Sequence, residues 1–122
     1  MAVHWHAFAW TGPAWPPDRE ARDPEAAVPP IQVDMWFRKP ARLRAGTFTE
    51  PGAALEWLAR ELAETPPLPT GVPAEAHLRA ARGALEREED AYVAYYTAAG
   101  GFLVRALLVC PRPGERCPEY PR

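Results

Sequence analysis

Sixteen of the 122 residues are proline, more than double ordinary usage. Each proline fixes φ near about −65° and removes a backbone N–H, so it is excluded from helix interiors and central strands. The prolines gather between the segments that carry hydrophobic periodicity, six of them in "TGPAWPPDREARDPEAAVPP". The chain therefore reads as a folded core with stiff connections and not as a disordered polymer. Its 48% hydrophobic and 25% charged residues are ordinary for a globular protein. A chain of this length predicts a single domain, residues 1–122, with one core.

Periodicity assigns the segments. Residues 3–10, "VHWHAFAW", read as a strand with Val3, Trp5, Ala7 and Ala9 on one face and His4, His6, Phe8 and Trp10 on the other. Aromatics on both faces predict cover on at least part of each. Residues 11–30 form a long proline-rich loop that is either functional or wraps the body, with Trp15 as its anchor. In "IQVDMWFRK", Ile31, Val33, Met35 and Phe37 alternate with Gln32, Asp34, Trp36 and Arg38. That alternation predicts a half-buried antiparallel strand ended by Pro40. "RLRAGTF" reads as a short further strand or a turn.

Two helices follow. Thr49 is placed to cap the first, Pro51 sits in its first turn, and Ala54, Leu55, Leu58, Ala59 and Leu62 make its apolar stripe. The second runs from about Pro73 to Glu89, with Leu78, Ala81 and Leu85 inward. Glu86, Glu88, Glu89 and Asp90 in its last turn oppose the helix macrodipole. "AYVAYYTA", "AGG" and "FLVRALLVC" read as strand, glycine turn and central strand. Residues 111–122 are a proline-rich tail that cannot continue the sheet. The order β-β-α-α-β-β predicts an α+β two-layer sandwich, a mainly antiparallel sheet of about four strands with both helices on one face.

Two clusters carry chemistry. Alternate residues of a strand point the same way, so His4 and His6 can converge on one ion. Cys110 and Cys117, in the last thirteen residues, would complete a tetrahedral Cys2His2 set of the kind zinc prefers, provided the first strand lies beside the last. Six residues between two cysteines is wide for a zinc site. The other readings of the cysteines are a small disulfide across "CPRPGERC" or free thiols. The second cluster is "WFRKPARLR", where Arg38, Lys39, Arg42 and Arg44 adjoin Trp36 and Phe37. Cations match phosphates and aromatic faces stack on unpaired bases. A charged edge strand that resists aggregation has the same composition.

Several classes fall away. Net charge is −2, so no global positive field draws in nucleic acid. The chain contains no serine, no glycine-rich phosphate loop and no HExxH, so nothing in it marks a serine nucleophile, a nucleotide cradle or a zinc protease. No stretch is apolar enough to be expected to span a membrane, and the first residues lack the basic region and apolar core expected of a signal peptide. The expected location is cytoplasmic, and the Ala, Arg, Gly and Pro usage with a single lysine suggests a GC-rich bacterial genome. The leading expectation is a small non-enzymatic interaction protein of adaptor, accessory or inhibitor type. It would present Trp15, Trp36, Arg38, Arg42 and Arg44 to a protein partner or to a second copy. The alternatives are a nucleic-acid-binding accessory protein using residues 36–44, and a zinc-binding protein using His4, His6, Cys110 and Cys117.

Overall fold

The computed structural model describes residues 3–115 and 117. Expectations for the rest of the proline-rich tail lie outside the described residues. Strand β1 spans His4–Gly12, β2 Arg44–Phe48, β3 Ala91–Tyr96 and β4 Phe102–Cys110. They form one antiparallel sheet in the order β2-β1-β4-β3. The first and last strands are therefore the central pair, and His4 stands directly opposite Cys110. The β3–β4 turn needs its glycines. Gly100 has φ +95°, and a Cβ on Gly101 would lie 2.7 Å from the Gly12 carbonyl oxygen.

Helices α2 (Pro51–Glu64) and α3 (Ala74–Glu86) pack on one face of the sheet. Their Ala54, Leu58, Leu62, Ala81 and Leu85 meet Trp5, Ala7, Leu103 and Leu107. Pro51 opens α2 as expected, whereas the cap position is Glu50 and not Thr49, with no side-chain cap bond. Arg105 breaks the apolar run of β4 and is satisfied where it lies. Its Nε donates to Glu61 Oε1 at 2.8 Å, and its Nη1 donates to the Trp10 and Val104 carbonyls at 2.8 and 2.9 Å. A buried guanidinium with partners on this scale holds α2 in register against the sheet.

The opposite face is covered too, by irregular chain. Phe8, Val104, Ala106, Leu108 and Cys110 pack there against Trp36, Phe37 and Leu43. The strand expected over 31–39 is a 3₁₀ helix at Val33–Arg38, and the edge partner of β1 is the later segment Arg44–Phe48. The reason lies in two adjacent aromatics. Trp36 and Phe37 are both buried in this second core, whereas successive residues of a strand point to opposite faces. A tight helical turn directs both inward. Of the expected apolar face Ile31, Val33, Met35 and Phe37, only Phe37 is buried, and Ile31 and Val33 are exposed.

The 11–30 segment is ordered. It holds a short helix, α1 (Asp18–Arg22), with Ala21 fully buried. The only lysine of the chain, Lys39, is buried and donates through Nζ to the carbonyls of Glu20, Asp23 and Ala26 at 3.1, 2.7 and 3.1 Å. Burial pushes its pKa down, partly offset by the Asp23 charge. Trp15 anchors the segment as expected, its ring 5.8 Å from that of Phe102.

Candidate metal centre

The pairing of β1 with β4 builds a site at one end of the sheet. Strand alternation turns His4 and His6 to the face that carries the second core, and their rings meet edge to face at 4.9 Å. Cys110 ends β4 on the same face, opposite His4. The chain then turns at Pro111–Gly114 and returns Cys117 over the histidines. The four ligand atoms of His4, His6, Cys110 and Cys117 lie within 4.8 Å of one another. Cys117 Sγ is 3.3 Å from His4 Nε2 and 2.7 Å from His6 Nε2. In a tetrahedron with zinc bonds of about 2.0–2.3 Å, neighbouring ligand atoms stand about 3.5 Å apart. The cluster is therefore close to the size of a zinc site: the His6–Cys117 approach would open by less than ~1 Å, and separations of up to 4.8 Å would close by roughly 1 Å, to hold an ion.

The surroundings are those of a closed site. His6 and Cys110 are each 2% exposed, His4 is buried, and Cys117 is half-buried at the rim. Thr47 Oγ1 on β2 lies 3.2 Å from His6 Nδ1. Were Nε2 to ligate an ion, Nδ1 would carry the proton and donate to that hydroxyl, an outer contact that orients the ring. Phe37 packs edge-on to His6 at 6.0 Å and closes one side. Both cysteines are free thiols. Burial pushes the Cys110 thiol up to about 12, with the neighbouring Cys117 and Asp90 adding to the rise and Arg112 opposing it. Without an ion, Cys110 is thus a neutral thiol, and a bound cation must displace its proton.

The segment bearing Cys117 is latched to the body. Arg112 donates through Nη1 to Asp90 Oδ1 at 2.6 Å and through Nη2 to Asp34 Oδ1 at 2.8 Å. Its guanidinium also lies over the Phe37 ring, 5.7 Å from the centroid. Asp90 Oδ1 in turn accepts the backbone N–H of Val109 at 2.9 Å. Arg38 adds a more exposed pair with Glu115 at 2.8 Å.

Comparison with protein-family models, curated proteins and solved structures gives no match to this chain. The site is therefore read from its own chemistry. Two nitrogen and two sulfur donors in tetrahedral reach suit zinc over magnesium or calcium, which take oxygen ligands.

The other expected site residues are scattered. Trp36 is 0% exposed and Phe37 is buried, so the basic segment 36–44 presents no aromatic face to a base. Arg38 is engaged by Glu115, Arg42 is exposed, and Arg44 is half-buried on β2. Trp15 remains 38% exposed and belongs to an aromatic run with Phe102 and Tyr96, whose rings are 4.8 Å apart. The carboxylates of "EREED" do not converge. Glu89 pairs with Arg87 in solvent, and Asp90 turns to the site. Asp90, Arg112 and Thr47 had no sequence signal as site residues. A long-range latch of side chains has no local pattern.

Proposed function

We propose that this chain is a small zinc-binding protein in which His4, His6, Cys110 and Cys117 hold the ion in a closed structural site. The observation that carries the reading is the convergence of four ligand atoms from both ends of the chain within 4.8 Å. Three of the four residues are buried, which leaves little room for the open coordination position of a catalytic zinc. The ion would join β1, β4 and the 111–117 turn, so its binding free energy would add to folding. No enzymatic activity is assigned. The test is native mass spectrometry of the reduced protein. About one zinc per chain is expected, lost on chelation with a fall in thermal stability. An apo mass in zinc-containing buffer refutes the reading.

A second reading has its own observation. Trp15, Phe102 and Tyr96 form a continuous aromatic run, with Tyr96 58% exposed. Exposed aromatics of this kind favour a protein partner, of which a second copy is the simplest. Sedimentation should reveal a concentration-dependent dimer that Trp15→Ala and Tyr96→Ala weaken together. A monomer at all concentrations, unchanged by either substitution, removes this version. No helix among the described residues is long and apolar enough to cross a membrane, and a reducing cytoplasmic setting fits two free thiols.

A further inference from the structure

We propose that the cluster is a redox-controlled zinc site, releasing its ion when a hydroperoxide oxidises Cys110 and Cys117 to a disulfide. This inference rests on the zinc reading above.

The geometry pairs the two sulfurs before any oxidation. They belong to one cluster whose ligand atoms all lie within 4.8 Å, so the Cys110 and Cys117 sulfurs are no farther apart than that. The two sulfurs differ in access. Cys110 is 2% exposed at the end of a central strand, while Cys117 is half-buried at the rim. A small oxidant therefore meets Cys117 first and finds Cys110 placed behind it as the resolving thiol. Cys117 also lies outside every helix and strand, after a turn in which Gly114 has φ +78°. Closing the gap between the sulfurs on the Cys117 side would leave the β1–β4 pairing intact. A disulfide would cross-link the same two residues that the ion cross-links. The turn would stay tied to β4 while the two histidines lose half of the ligand set.

The step balances with hydrogen peroxide as the named oxidant. The Cys117 sulfur attacks one peroxide oxygen, the O–O bond breaks, and a sulfenic acid forms as hydroxide leaves. The Cys110 thiolate then attacks the Cys117 sulfur, the S–S bond forms, the S–O bond breaks, and a second hydroxide leaves. Two protons from solvent convert both hydroxides to water. The sulfur pair has lost two electrons, the peroxide has gained them, and the zinc ion passes to solvent without change of oxidation state.

The experiment uses the full chain, reduced, loaded with zinc and freed of excess reductant. It is treated with hydrogen peroxide beside an untreated control, with a chromogenic zinc indicator and intact-mass readout. Release of about one zinc per chain is expected, in step with loss of both thiols and about 2 Da of mass. Dithiothreitol and added zinc should restore the starting state. Zinc retained with both thiols reduced overturns the inference and leaves the zinc reading standing. A gain of about 32 Da without a disulfide, the mark of a sulfinic acid, does the same. A reduced protein that takes up no zinc overturns both.

Discussion

Replacing Arg112 by Met tests whether the latch, and not the four ligands alone, determines metal affinity. The methionine stem keeps much of the contact with Phe37 and removes the guanidinium, which now bridges Asp90 and Asp34. The two bridges are unequal. The Asp34 side chain is 54% exposed, so its pair with Arg112 contributes little beyond the few tenths of a kcal/mol typical of surface pairs. The Asp90 pair is more sheltered and shorter, at 2.6 Å, and it also orients the carboxylate that accepts the Val109 N–H. Losing a partly buried charge-assisted bond of this kind costs about 1–2 kcal/mol. If that free energy holds the 111–117 turn over the histidines, the variant must supply it again on binding the ion. Zinc affinity then falls by roughly 5- to 30-fold, a factor of ten being ~1.4 kcal/mol. Competition against a chelator of known affinity measures the change. Arg38→Met, which removes the Arg38–Glu115 pair on the same turn, in which only the arginine is exposed, should lower affinity less than Arg112→Met does. An Arg112→Met protein that binds zinc as tightly as the parent, with the same fold, refutes the latch.

Lys39→Met leaves three carbonyls of the 11–30 segment without their shared donor and should destabilise the protein by about 2 kcal/mol in urea unfolding, with faster proteolysis at Arg19 and Arg22. An unchanged or raised stability contradicts the role given to this lysine. Burial lowers the pKa of His77, whose ring packs tilted against Tyr95 at 5.4 Å and whose Nε2 has no hydrogen-bond partner among the described residues. The unfolded chain then takes up this proton first. The stability tied to a neutral His77 is complete above about pH 6.5 and is lost as pH falls through its lowered value. Comparing His77→Phe with the parent across pH 5–7 should show a shallower loss of stability in the variant, and equal slopes would contradict the assignment.

Much of this fold was legible because a few residues leave one solution. The alternation of residues 3–10 and the apolar run 102–110 identified the two strands that prove central, and the apolar stripes of 54–62 and 78–85 identified the helices that cover them, the second ending at Glu86 and not Glu89. Their adjacency made a His2Cys2 set conceivable, since the wide Cys-x6-Cys spacing needs a turn to bring Cys117 back. The segment 31–39 was misleading because its period of two is a weak signal beside the burial of Trp36 next to Phe37. That choice is tertiary, made by the open face of the sheet. For the same reason Trp36 reads in sequence as a recognition aromatic and in the fold as core. Asp90 was hidden inside an acidic helix end, and only its position after Glu88, which has φ +60° and ends the helical path, turns it toward Val109 and Arg112.

X-ray absorption at the zinc edge of the loaded, reduced protein tests the central claim most directly. Two sulfur scatterers at about 2.3 Å and two imidazole nitrogens at about 2.0 Å, with no bound water, are expected from His4, His6, Cys110 and Cys117. A shell dominated by oxygen, or one lacking sulfur, would place the ion elsewhere and contradict the site.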